Sequence, residues 1–217
     1  LTINTIDNLT TTQAVDENTP SLSGTLPIGL GASTIFDPTI ERTLELTVEN
    51  GAGSPDISGR IPLNNLGNPP GLSFSNGQGT NGVLTLSYGI INPTDLTQGG
   101  ADRISIALVS SDLDDASVTV RLNGITETIS NLSAVNPPSD PPLILDFLFS
   151  SFLATDPSFD ATAINDFAII LDPVLEGDMS INVLETRNGT TATPEPATVL
   201  GLLAVGLTGR VLRKAKK

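Results

Sequence analysis

The chain has 217 residues with 24 acidic and 10 basic side chains, and it contains no cysteine, no histidine and no tryptophan. The missing cysteine removes disulfides, thiolate metal sites and cysteine nucleophiles together, and the missing histidine removes the usual general base, the usual zinc ligand and any Ser-His triad. Residues 1–196 hold five arginines against all 24 acids, a net charge of −19, which argues against nucleic acid and anionic membrane surfaces as partners of the body, because both need cations to neutralise phosphate.

Low charge, abundant Thr, Ser, Asn and Gly, and few strong helix formers predict an all-β body over residues 1–187, long enough for one domain with a full core. The sequence starts at Leu1 without Met and without a basic stretch followed by an apolar run. Leu1 reads as the end left by signal-peptide removal or as an arbitrary cut. Leu1 to Asp7 alternates and predicts a first strand; Thr10 to Pro20 reads as loop, and Leu22 to Gly31 as a short irregular strand.

Thr39 to Glu49 is a clear strand, with Leu44, Leu46 and Val48 on one face and Thr43, Glu45 and Thr47 on the other. Asn50-Gly51 then turns the chain. Ile57 to Leu63, Leu72 to Ser75 and Val83 to Tyr88 are further strands, with Asn76-Gly77 and Asn81-Gly82 as punctuation. Arg103 to Ser110 places Ile104, Ile106 and Leu108 on one face, and Ala116 to Leu122 does the same with Val118, Val120 and Leu122. Asn123-Gly124 before Ile125 to Ile129 predicts a hairpin with a type I′ turn, in which both central residues need φ > 0.

Asn136 to Pro142 carries four prolines and reads as a linker. Leu143 to Phe149 is the most hydrophobic strand candidate and is expected to be central. Ala163 to Leu171 and Met179 to Glu185 complete the set. About ten short strands, turn signals about every 8–12 residues and no amphipathic helix in the body predict a β-sandwich, with a jelly roll favoured over an immunoglobulin-like topology.

Asp112, Asp114 and Asp115 lie between two strands, where alternate carboxylates and carbonyls suit Ca²⁺, although the Gly and terminal Glu of an EF-hand loop are missing. A solvated acidic turn explains the same residues. Asp7 and Asp178 would meet if the first and last strands pair. No two carboxylates stand out as a glycosidase pair. A sugar site here would be built from Asp, Asn and backbone groups, since the chain has no Trp and one Tyr for stacking. Phe147, Phe149, Phe152, Phe159 and Phe167 read mostly as core.

A polar stalk at 188–193 leads to Pro194-Glu195-Pro196 and then to thirteen uncharged residues from Ala197 to Gly209. As a helix this run is about 20 Å long, against a hydrocarbon core of about 30 Å, so even when extended through 197–212 it is a marginal span. Arg210, Arg213, Lys214, Lys216 and Lys217 follow, five of the chain's ten basic residues in its last eight positions. By the positive-inside rule this end stays cytoplasmic and the body lies across the membrane.

Pro-Glu-Pro, a short Gly- and Leu-rich transmembrane-like helix and a basic end over residues 194–217 resemble the PEP-CTERM sorting signal of Gram-negative bacteria. The resemblance implies export, transient anchoring in the inner membrane and recognition by exosortase. It also implies cleavage near Pro-Glu-Pro and delivery to the cell surface or an exopolysaccharide-rich, biofilm-forming matrix. The segments Ile6-Asp7-Asn8, Leu72 to Gly77, Gly82 to Tyr88, Gly99 to Ile106, Ser111 to Asp114, Ala163 to Ile169 and Val183 to Thr186 are similar to the bodies of many such proteins, which implies a jelly-roll-like fold and no catalytic residues. The expectation is a non-catalytic surface protein without a cofactor. A carbohydrate-binding module on exopolysaccharide, with or without structural Ca²⁺, is the alternative, and a glycosidase-like enzyme a more distant one.

Overall fold

In the computed structural model, the structure describes residues 3–9, 13–16, 28–29, 33–37, 40–50, 58–61, 71–135 and 141–189. The chain divides into a compact unit of Thr2–Asn188 and a second unit formed by Leu1 with Gly189–Lys217. The first unit contains β1 (Ile3–Asp7), β2 (Gln13–Asp16), β3 (Ile28–Gly29), β4 (Glu41–Asn50), β5 (Ser58–Ile61), β6 (Gly71–Ser75) and β7 (Asn81–Gly89). After a short 3₁₀ turn come β8 (Arg103–Ser111), β9 (Ala116–Leu122), β10 (Ile125–Leu132), β11 (Leu143–Leu148), a helix α1 (Phe149–Thr155), β12 (Phe167–Asp172) and β13 (Asp178–Arg187).

The strands form two antiparallel sheets. A seven-stranded sheet has the order β11-β8-β13-β6-β5-β2, with β1 also paired to β13, and a six-stranded sheet has the order β10-β9-β12-β7-β4-β3. One hydrophobic cluster draws on both, with Leu72, Phe74, Ile106 and Ile181 from the first and Leu44, Leu86, Val120 and Ile169 from the second. Each such side chain, buried from water, contributes about 1.5–3 kcal/mol. The period-two pattern read in β4, β7, β8 and β9 therefore points into the space between the sheets, as a sandwich requires. Gly59 of β5 lets the sheets approach closely, since a Cβ there would stand 2.7 Å from the Leu84 side chain.

The hairpin at Asn123-Gly124 forms as expected, with φ of 50° and 80° at the two turn residues and Ile125 opposite Leu122. Other expectations need correction. Leu143 to Phe149 is not a central strand. It ends at Leu148 as the edge strand β11, beside β8, with Leu143, Ile144, Asp146 and Leu148 exposed. The central strands are β13 and β12. The body also holds a helix, because Phe149 and Phe152, three positions apart, bury one face of α1 and stand beside Phe159 at 6.4 and 5.3 Å. Residues 13–16, expected as loop, form β2, and the strand expected from Ala163 begins only at Phe167. Asn81-Gly82 is not a turn but the start of β7, with Gly82 opposite Val48. The linker's residues 136–140 lie outside the described residues.

One buried ion pair spans the sandwich. A register shift between Thr5 and Asp7 places Asp7 opposite the core residue Leu184, so its carboxylate turns inward. Arg42 Nη1 donates to Asp7 Oδ2 at 2.8 Å, and both side chains are fully buried. The Tyr88 hydroxyl donates to the same oxygen at 3.1 Å, and the Leu9 amide to Asp7 Oδ1 at 2.8 Å. Burial, and then the neighbouring Asp7 charge, push the Tyr88 phenol well above its ordinary pKa.

Removing one charge strands the other in a dry interior, which costs about 3–5 kcal/mol. Arg42→Ala is therefore expected to lower unfolding free energy by about that much in urea melts. Arg121→Ala, which breaks a half-exposed pair with Asp166, is expected to cost about 0–1 kcal/mol. Equal losses would contradict the structural role of the buried pair.

Candidate functional site

Three polar clusters among the described residues bear on a candidate site. The first is the acidic turn between β8 and β9. Asp112 Oδ1 accepts the Asp178 amide at 2.6 Å, and Asp114 Oδ1 accepts the Ala134 amide at 2.8 Å. Asp115 adopts a positive φ of 70°. Asp112 and Asp114 thus each brace a backbone amide of a different segment. Among the described residues no three acidic side chains gather as a metal-binding group.

Nor does Asp7 meet Asp178. The terminal strands pair as expected, but Asp7 lies opposite Leu184, while Asp178 starts β13 opposite Ser75.

The second cluster is at the β12–β13 turn, which sets the position of Asp178. Asn76 Nδ2 donates to the Val174 carbonyl at 2.8 Å, and its amide donates to the Gly177 carbonyl at 3.0 Å. The Glu176 amide donates to the Thr80 carbonyl at 3.0 Å, and Glu176 Oε1 accepts the Gly79 amide at 2.7 Å. Val174 and Glu176 take φ of 67° and 64°. Gly177 is required, since a Cβ would lie 2.0 Å from the Pro173 carbonyl oxygen.

The third cluster is the outer face of the seven-stranded sheet. Core residues alternate with small polar ones along two adjacent strands. Leu72 and Phe74 of β6 alternate with Ser73 and Ser75, and Met179 and Ile181 of β13 alternate with Ser180 and Asn182. Register places Ser73, Ser180 and Ser110 in one row and Gly71, Asn182, Ala107 and Ile144 in the next row inward from β13's start. The Ser110 and Ser180 hydroxyls are hydrogen-bonded to each other.

Ser73, Phe74, Ser75, Ser110, Asp178, Met179 and Ser180 line a depression of about 190 Å³. Loss of surrounding water, and to a lesser degree the nearby Asp112 charge, raise the Asp178 pKa, against the lowering effect of hydrogen bonds from the Ser75 hydroxyl and the Asn76 amide. Further along the face, Arg103 bridges Asp102 and Asp146 at 2.7 and 3.1 Å, and Arg187 pairs with Glu185 at 2.7 Å.

Of the residues singled out in the sequence, Asp178 joins this depression and Asp112 stands beside it. Ser73, Ser75, Ser110, Ser180 and Asn182 were missed. Their signal is the polar half of alternating strands, which says that they face outward but not that they meet. The sorting residues Pro194, Glu195, Pro196, Arg210, Arg213, Lys214, Lys216 and Lys217, with the span 197–212, lie outside the described residues. Among the described residues no helix is long and apolar enough to cross a membrane.

Residues 192–217 match the PEP-CTERM protein-sorting motif. No curated protein matches the chain in sequence. Among solved structures, the chain is similar to the family 11 carbohydrate-binding module of the cellulosomal cellulase Lic26A-Cel5E of Clostridium thermocellum, with 11% identity, 87% of this chain and 96% of that chain covered, and a TM-score of 0.40. The same organism's module in complex with a β-1,3-1,4-mixed-linked tetrasaccharide gives 11% identity, 86% and 96% coverage and a TM-score of 0.39. TmCBM61 in complex with β-1,4-galactotriose gives 5% identity, 67% and 88% coverage and a TM-score of 0.38.

Because Asp178 holds its proton more readily in the folded chain than an ordinary aspartate, its charged form weighs against folding. That penalty is present above the raised pKa and disappears as pH falls to the ordinary carboxylate range. Asp178→Asn is therefore expected to raise the melting temperature at pH 7 and to give a shrinking gain toward pH 4, followed by thermal melts across that range. A loss of stability at pH 7 would contradict the assignment.

Proposed function

We propose that this is an exported, non-catalytic β-sandwich protein that exosortase recognises through its C-terminal signal and delivers to the cell surface or extracellular matrix of a Gram-negative bacterium. The observation that carries this reading is the PEP-CTERM sorting motif at residues 192–217. In the mechanism we infer, the basic cluster Arg210 to Lys217 holds the end of the chain on the cytoplasmic side, since moving five cations through hydrocarbon is costly.

The uncharged run then sits in the bilayer. It is short enough to be a transient hold rather than a lasting anchor. Pro194 and Pro196 keep the chain around Glu195 extended, because proline fixes φ and disfavours helix at the residue before it. An extended segment just outside the bilayer suits entry into a processing enzyme's cleft. The body needs no part in that step. Its two sheets share a single core and its charge of −19 favours solubility on the far side of the membrane.

The test is the intact mass of the protein from its native host, with sequencing of the C-terminal peptide. The expected mature end lies at or near Pro194 to Pro196, with the basic cluster gone. Surface-located protein that retains Lys217 would overturn the sorting reading and leave the tail as a permanent anchor. Replacing Arg210, Arg213, Lys214, Lys216 and Lys217 together by Gln is expected to abolish processing in the same assay.

A further inference from the structure

The outer-face depression gathers polar groups whose chemistry narrows the class of ligand it suits. Its rim and floor combine the hydroxyls of Ser73, Ser75, Ser110 and Ser180 with one carboxylate, Asp178. Next along β13 on the same face stands Asn182. It is 7% exposed, and its side-chain oxygen is buried without a hydrogen-bond partner. A buried acceptor left unpaired costs about 1–3 kcal/mol, and native structures keep few of them.

Asp178 adds a second cost, since its charge is partly stripped of water and lies near Asp112. Two groups thus stand on one face of one strand, Asn182 Oδ1 without a partner and Asp178 with its charge only partly offset by the Ser75 hydroxyl and the Asn76 amide. Both are acceptors, and the serines beside them both donate and accept.

The complementary ligand supplies several hydroxyl donors and acceptors and carries no negative charge. Anions are repelled by Asp112, Asp178 and the body's net charge of −19. A divalent cation lacks its ligand set, because no three acidic side chains gather among the described residues. Nucleobases lack an aromatic platform here, Phe74, 1% exposed beneath the floor, being the only aromatic among the described lining residues. An apolar ligand would cover the Asp178 charge and offer no hydrogen bond in place of the water it displaces.

We propose that this depression binds an uncharged saccharide, whose hydroxyls donate to Asp178 and exchange hydrogen bonds with Ser73, Ser110 and Ser180. The half-exposed Ile144, in the row of Asn182, offers an apolar edge to the sugar's C–H face. The site uses residues of the body alone, so processed and unprocessed chains bind alike and its failure would leave the sorting reading untouched.

Affinity electrophoresis of the full-length protein tests it, in gels containing neutral β-glucan, galactan or galactomannan and, separately, anionic polygalacturonate. Retardation is expected in at least one neutral gel and not in polygalacturonate. Asp178→Asn and Ser180→Val are expected to weaken it at least ten-fold. Ser158→Ala, an exposed hydroxyl elsewhere, is expected to leave it unchanged. Since Asp178→Asn is expected to stabilise the fold at pH 7, loss of binding in that variant with an intact melt separates recognition from folding. No retardation in any neutral gel, retardation unchanged by both site variants, or stronger retardation by polygalacturonate would each overturn the proposal.

Discussion

The Asp7–Arg42 pair is the contact on which the arrangement of the sandwich depends. Moving two charges out of water costs several kcal/mol per ion, so such a pair persists only when its geometry is good and its remaining atoms are bonded. Here the Asp7 carboxylate, carried by β1 on the seven-stranded sheet, takes a guanidinium from β4 and a phenol from β7, both on the six-stranded sheet. Arg42 and Tyr88 are register partners, so a slip of either strand by one residue would turn one of them outward and leave a buried carboxylate without it. Tyr88 also stacks on Phe167 at 5.1 Å, and Phe36 closes against both rings. Electrostatics and packing fix the same end of the sandwich together.

Away from that end, the two faces of the central strands divide the work. Inward residues of β6, β8 and β13 build the core, and outward residues of the same strands form the hydroxyl row and the depression. A rigid core beneath means the hydroxyls are held at fixed spacing without needing loops to order them. The exception is Asp178, which stands at a strand start and takes its place from the braced turn before it. Its environment disfavours its charge, which costs folding stability at that position.

Much of the fold is legible in the sequence because its signals are local. Period-two alternation in β4, β7, β8 and β9 marks buried faces, and Asn123-Gly124 announces its own hairpin through the φ values it tolerates. The misreadings have a common cause. Leu143 to Phe152 is mostly apolar, and hydrophobicity alone cannot tell a central strand from an edge strand followed by a one-face helix. Only neighbours decide it: β8 on one side of β11, and Phe159 against α1. β2 is four residues long, too short for a pattern, and exists because β5 offers it an edge. The register of β1 on β13 placed Asp7 far along the strand from Asp178, which pairing alone could not reveal.

The sequence by itself determined the address and the alternation. A sorting signal is read along the chain, as Pro-Glu-Pro, an uncharged run and a basic end in that order, so no folding is needed to recognise it. Alternation likewise states which side chains face inward, because the pleat of a strand is set by the backbone. Tertiary structure alone decided which outward residues meet. Ser110 and Ser180 are 70 positions apart, and Asp112 and Asp178 are 66 apart. They become neighbours only because β8 and β13 pair in a register that shifts at two points. That register follows from packing two sheets around one core, a property of the whole unit that no short stretch of residues carries.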